Sequence, residues 1–230
     1  MSVAENVERV QERIHSACRR SGRAVEDVRM IAVSKTKPAE SVRQAHAAGL
    51  REFGENRVQE AAAKRKELED LDAVWHLIGH LQSNKAKQAC RLFDWVHSVD
   101  SLHIAEKIDS AAADLGRKMP VLIEVHLGEE ASKFGVEEDD LLRLAEQLGA
   151  LPSLDLRGLM TLPPFFDDPQ DVRPFFRRLR ELAARIEARN LPGVHMRELS
   201  MGMSHDFEVA IEEGATIVRV GTAIFGERQR

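Results

Sequence analysis

Apolar residues along the chain fall into two alternating kinds of run. Val3, Val7, Val10, Ile14 and Ala17 recur at spacings of three and four, which lays them on one face of a helix over 3–20. Gly22 follows as its terminator. Next comes Arg29-Met30-Ile31-Ala32-Val33-Ser34, a short run rich in branched residues that reads as a buried strand. Pro38 then opens a second helix running to Leu50, since proline suits a first helical turn. The rhythm repeats. Strands are expected at 51–54, 74–79, 95–99, 121–127, 154–160, 195–200 and 216–220. Helical stretches follow them at about 56–68, 84–92, 101–115, 137–148, 172–189 and 204–212, with a final turn at 222–225.

Strict alternation of strand and helix demands right-handed crossovers and a parallel sheet. Eight repeats predict an α/β fold of the (β/α)₈ TIM-barrel type with an extra N-terminal helix, as one domain over 1–230. An open doubly wound sheet is the competing arrangement. The count of eight and the lack of a dinucleotide fingerprint after the first strand speak against it.

Charge narrows the partners. The 230 residues carry 33 Lys and Arg against 38 Asp and Glu, a net charge of -5 with both signs interspersed. A nucleic-acid partner would need a concentrated basic face. No apolar stretch of about 18 residues offers a membrane span. Cys18 and Cys90 lie far apart, with neither disulfide nor zinc spacing. The first 20 residues are charged throughout, without an apolar leader segment, so the expected location is cytoplasmic. With no apolar patch evident, a monomer is the expected state. The chain contains no tyrosine.

In a barrel of this kind the chemistry gathers where strands end. Lys35 closes the first strand. A lysine amine partly withdrawn from water becomes a nucleophile able to form a Schiff base with an aldehyde; the same position also suits a lysine that merely snorkels to solvent. Ser200, Gly202, Gly221 and Thr222, in the loops after strands seven and eight, suit a phosphate, with glycines for close backbone approach and hydroxyls as donors. As ordinary turn and cap residues they would do less, with Ser204 capping a helix that begins at His205. Arg219 interrupts an apolar strand and needs an acceptor, either Glu124 in the barrel core or a ligand. Asn56 faces the mouth or, with Gln59, forms a variant capping box. His76 and His80 are four residues apart, about 13 Å along a strand and too far for one metal. His76 therefore reads as packing and His80 as a mouth residue. Met160 and Met201 lie at further strand ends, and 129–135 forms either a lid or a solvated turn.

Several segments then add up to a family. Ala32-Val33-Ser34-Lys35-Thr36-Lys37-Pro38, Phe53-Gly54-Glu55-Asn56-Arg57-Val58-Gln59-Glu60 and the run from Trp75 to Lys85 resemble those of the YggS/PROSC family of pyridoxal-phosphate homeostasis proteins. So do Ser132-Lys133-Phe134-Gly135, Gly158-Leu159-Met160-Thr161, Leu199 to Asp206 and Val218 to Gly226, in order across nearly the whole chain. Arg57 and Ala215 stand where tyrosine and serine are often expected. The resemblance implies a barrel like the N-terminal domain of alanine racemase, with pyridoxal 5'-phosphate (PLP) held as a Schiff base on Lys35. It implies phosphate contacts from Ser200, Gly221 and Thr222, and Arg219 facing the ring nitrogen. Asn56, His80, Met160 and Met201 complete the candidate cofactor contacts. An arginine there keeps the ring nitrogen unprotonated, which makes the ring a poorer electron sink. The implied role is PLP binding and intracellular vitamin B6 homeostasis with little or no catalysis, PLP-dependent apo-enzymes being the implied partners. The alternative is a PLP-dependent amino-acid racemase, which needs a proton donor on each face of the substrate. In alanine racemase one donor is a tyrosine from a second domain; here only a histidine such as His80 could stand in.

Overall fold

The computed structural model describes residues 2–128 and 134–227. Eight parallel strands close into one barrel in the order β1 to β8, with β8 pairing back onto β1 through Met30 and Val218. The strands are β1 Arg29–Val33, β2 Glu52–Glu55, β3 Val74–Leu77, β4 Trp95–Val99, β5 Met119–Glu124, β6 Leu154–Met160, β7 Val194–Ser200 and β8 Ile217–Val220. The helices are α1 Val3–Ser21, α2 Ala39–Ala47, α3 Val58–Lys66, α4 Ala86–Leu92, α5 Leu102–Asp114, α6 Glu138–Gly149, α7 Arg173–Glu187, α8 Phe207–Glu212 and α9 Thr222–Phe225. The expected (β/α)₈ barrel and its added N-terminal helix are both present.

α1 starts with a full capping box, in which Ser2 and Glu5 bond each other's backbone N–H groups. It stops at Gly22, whose φ of 67° is the left-handed conformation that glycine adopts without a Cβ penalty. Its buried stripe of Val7, Val10, Ile14 and Ala17 packs on α2, α8 and α9. The side-chain amide of Asn6 donates to the Ile224 carbonyl at 2.9 Å and ties α1 to the last turn. Among the described residues no helix is long and apolar enough to cross a membrane.

Two apolar layers result. Ile31, Leu122, Met160 and Ile217 fill the barrel interior, while a larger cluster packs strands against helices. Strands covered on both faces, such as β1 and β5, read in sequence as near-continuous apolar runs, whereas β7 keeps exposed His195 and Arg197 in its first half. Two expected helix starts shift. α3 begins after Arg57, which is extended, so Asn56 stays in the loop and the Asn56–Gln59 capping box does not form. α8 starts at Phe207, with Asp206 at its N-cap position, so Ser204 does not cap it.

Candidate functional site

The turn after β1 is held from three sides. Lys64 Nζ donates to the Ser34 carbonyl at 2.7 Å, and the Thr36 N–H donates to Glu60. Lys37 Nζ donates to the carbonyls of Phe225, Gly226 and Glu227 at 2.9, 3.0 and 2.9 Å. Lys35, half-buried, sits among these anchors. Thr36 has a φ of 64°, a conformation unfavourable for a β-branched residue that persists only where neighbours over-determine it. Here they do.

Beneath the turn lies a buried pair. Lys64 Nζ stands 2.5 Å from Glu55 Oε1, and their side chains are 5% and 0% exposed. Ser34 Oγ donates to the same carboxylate oxygen at 2.7 Å. Burial pushes the Glu55 carboxyl up, while Lys64 and Ser34 pull against it. These groups occupy the space between β2 and α3 and fix where the lysine turn sits.

Lys35 opens on a cavity of about 250 Å³ at the C-terminal end of the barrel. Asn56, Ser204, His205, Arg219, Gly221 and Thr222 share its lining with apolar Val33, Ile78 and Leu162. The structure therefore brings Lys35, Asn56, Arg219, Gly221 and Thr222 together, as the sequence leads one to expect. Asn56 can stand there because a Cβ on Gly79 would lie 2.4 Å from the Asn56 carbonyl oxygen; only glycine lets β3 end so close. No carboxylate lines the cavity among the described residues, whereas lysine, arginine, hydroxyls and amides do. The Gly221 and Ala223 N–H groups converge on Ser204 Oγ at 3.1 and 3.2 Å. That hydroxyl marks where an acceptor oxygen belongs.

Arg219 is 3% exposed and donates to Ser200 Oγ at 2.6 Å and to the Thr161 carbonyl at 2.8 Å. Burial lowers its pKa to about 10, so it stays charged at neutral pH. Among the described residues it has no carboxylate in ion-pair contact, so the alternative pairing with Glu124 is not formed. Glu124 is 5% exposed and pushed up to about 7, first by burial and then by the charge of Asp100, with Arg219 pulling it down. This value lies above the ordinary carboxyl pKa of about 4.3, so the folded state binds the proton more tightly and stability falls as pH rises through that window. Glu124→Gln should thus stabilise the fold at pH 8 by about 2–3 kcal/mol more than at pH 5 in urea unfolding. Equal gains at both pH values would show that Glu124 ionises normally.

Four expected residues lie elsewhere. Ser200 is 0% exposed inside the barrel, its hydroxyl engaged by Arg219 and His97. Ser204 stands beside Gly221 in its place, because the loop after β7 turns back over the mouth. Met160 belongs to the interior layer and Met201 to the outer core. His80 lies in a neighbouring groove that Asn56 also lines, its Nδ1 3.2 Å from Asp100 and its ring stacked on Phe134 at 3.7 Å. His76 runs inward, away from His80. Of the expected lid at 129–135, only Phe134 and Gly135 are among the described residues, and Lys133 lies outside them. Reasoning from sequence missed His205, whose Nε2 lies 3.2 Å from the carbonyls of both Phe166 and Asp167. Its place beside Ser204 in the loop after β7 was the available signal.

Comparison with known proteins agrees with this geometry. Residues 3–229 match the family model for the alanine racemase N-terminal domain. A relative from Aquifex aeolicus, named pyridoxal phosphate homeostasis protein, is 48% identical over the full length of both chains. One of the same name from Pseudomonas aeruginosa is 47% identical over 99% of this chain and 96% of its own. The PLP-bound structure of PipY from Synechococcus elongatus superposes with a TM-score of 0.86 at 43% identity, covering 98% of this chain and 100% of that one. Alanine racemase from Clostridium difficile shares the fold alone, with a TM-score of 0.75 at 16% identity over 57% of its chain. Identity of this extent, from one end of the barrel to the other, makes the chain a member of the pyridoxal phosphate homeostasis protein family.

Proposed function

We propose that the chain binds pyridoxal 5'-phosphate in the Lys35 cavity and serves its homeostasis by holding the cofactor rather than by catalysis. One observation carries this reading: the lysine, a buried guanidinium, Gly221 and the hydroxyl residues Ser204 and Thr222 share a small cavity that no carboxylate lines among the described residues. PLP would supply an aldehyde within reach of an amine, a phosphate and an aromatic ring. Lys35 would bond the aldehyde carbon. Ser204, Gly221 and Thr222 would hold the phosphate, and Arg219 would donate toward the ring nitrogen, its positive charge disfavouring a proton there. Met160 and Met201 would act only through packing behind the site, and Ser200 through Arg219. The whole barrel, 1–230, would work as one unit in the cytoplasm as a monomer, with apo-enzymes that need the same cofactor as recipients.

The racemase alternative needs a second proton carrier. No tyrosine exists to provide one, His205 Nε2 is held between two carbonyls, and His80 lies outside the cavity lining.

The test is the visible spectrum of the purified protein with added PLP, before and after borohydride, followed by peptide mapping. A band lost on reduction, with the label on Lys35, is expected. No band would end the cofactor reading. Racemisation of L-alanine at ordinary enzyme rates, about 1–1000 per second, would overturn the holder reading.

A further inference from the structure

Beneath the cavity the barrel interior carries a continuous line of polar groups that cofactor binding leaves unexplained. Arg219 Nη1 donates to Ser200 Oγ at 2.6 Å. Ser200 Oγ lies 3.0 Å from His97 Nδ1, and His97 Nε2 lies 3.0 Å from His76 Nδ1. His76 Nε2 lies 2.5 Å from Glu52 Oε2. Ser200, His97 and His76 are 0% exposed. The line runs from the mouth to the opposite end of the barrel, since Glu52 is the first residue of β2. There Glu52 meets Arg29 at 3.9 Å, and Arg29 also pairs with Glu198 at 2.8 Å.

The two ends fix the direction of every proton between them. A guanidinium can only donate and a carboxylate can only accept. Ser200, accepting from Arg219, has its own proton for His97 Nδ1, which must therefore be bare. His97 then carries its proton on Nε2 and gives it to a bare His76 Nδ1. His76 in turn donates from Nε2 to Glu52. Five residues on five strands satisfy one another without a spare donor or acceptor along the line.

We infer that Glu52, His76 and His97 are positioning residues for Arg219: acting through Ser200, this one-way chain sets the angle at which the guanidinium meets a ligand in the Lys35 cavity. The inference rests on the cofactor reading above. Its chemistry is coherent with the surroundings. A proton added to either histidine would break the direction of the line and place a second positive charge near Arg219. The charged groups around the chain are Arg29 from β1, Glu52 from β2, Glu124 from β5, Glu198 from β7, Asp206 at the start of α8 and Arg219 from β8. Burial first, and then the nearby positive charges of Arg219 and Arg29, hold the His97 pKa well below its usual range.

The test has two arms. In the full-length protein without added cofactor, ¹⁵N-histidine spectra at pH 8 should show His76 and His97 as Nε2–H tautomers. A protonated Nδ1 at either residue overturns the chain. In the PLP-loaded protein, Ser200→Ala should speed cofactor loss about tenfold, the weight of one charged hydrogen bond. Ser200→Thr, which keeps the hydroxyl, should restore the wild-type rate, and Glu52→Gln should change the pH profile of the cofactor band. A folded Ser200→Ala variant that loses PLP at the wild-type rate overturns the positioning role. Failure of the wild-type protein to take up PLP at all overturns the cofactor reading instead, while the histidine spectra still decide the direction of the chain.

Discussion

Replacing Lys35 with alanine should abolish the borohydride-stable cofactor adduct and leave only reversible, anion-driven binding. The proposed covalent link and the proposed anion contacts come from different parts of the barrel. The amine follows β1, whereas Ser204, Gly221 and Thr222 belong to the loops after β7 and β8. Removing the amine leaves those contacts and Arg219 in place. The fold should survive, because Ser34, Thr36 and Lys37 each anchor the turn through contacts that the substitution leaves in place. Reduction with borohydride followed by intact-mass measurement should show no adduct, while equilibrium dialysis still detects weak PLP binding. An adduct at wild-type stoichiometry would move the chemistry to another lysine. Lys64 and Lys37 are poor candidates, being bound to Glu55 and to backbone carbonyls.

Lys64→Met should be the most destabilising single change at this site, at about 3–5 kcal/mol in urea unfolding. The substitution leaves Glu55 as a buried carboxylate without its cation, and Glu55 Oε2 already has no hydrogen-bond partner. Against a typical total of about 5–15 kcal/mol, such a loss is large. The double variant Glu55→Leu/Lys64→Met should recover most of it, since an uncompensated charge costs more than a missing pair. Adduct formation should slow in the single variant, because the Ser34 carbonyl loses its donor beside Lys35. A loss below about 1 kcal/mol would mean that the Glu55 carboxyl is neutral in the fold, which would remove the penalty.

The barrel is legible in the sequence because strands such as β1 and β5 are buried over most of their length and appear as short apolar runs between helical stretches. β4 and β6 emerge at the expected residues, 95–99 and 154–160. Lys35, Arg219, Gly221 and Thr222 are legible for a related reason: strand ends in a closed barrel converge on one mouth. What escapes is whatever depends on facing direction or on distant partners. The sequence points to Ser200 as the phosphate contact, yet in the fold its hydroxyl is buried inside the barrel while Ser204 lines the mouth. Local pattern suggests that Ser204 caps its own helix, yet its hydroxyl serves amides across the mouth, on the far side of β8. The Lys64–Glu55 pair joins a helix to the strand before it, and the histidine line joins β2, β3 and β4 to β7 and β8 across the barrel interior. Neither follows from spacing without the register.

Lys37, two residues beyond Lys35, grips the carbonyl of Phe225 across 188 positions of sequence. β8 must likewise close against β1 before the mouth exists. During synthesis, then, the amine leaves the ribosome early and waits, while the anion cradle arrives last. A nascent chain cannot capture its ligand piecemeal as it emerges. Ligand uptake therefore reports that the ring of strands has closed, and a polypeptide arrested before β8 should be unable to sequester a reactive aldehyde at this site.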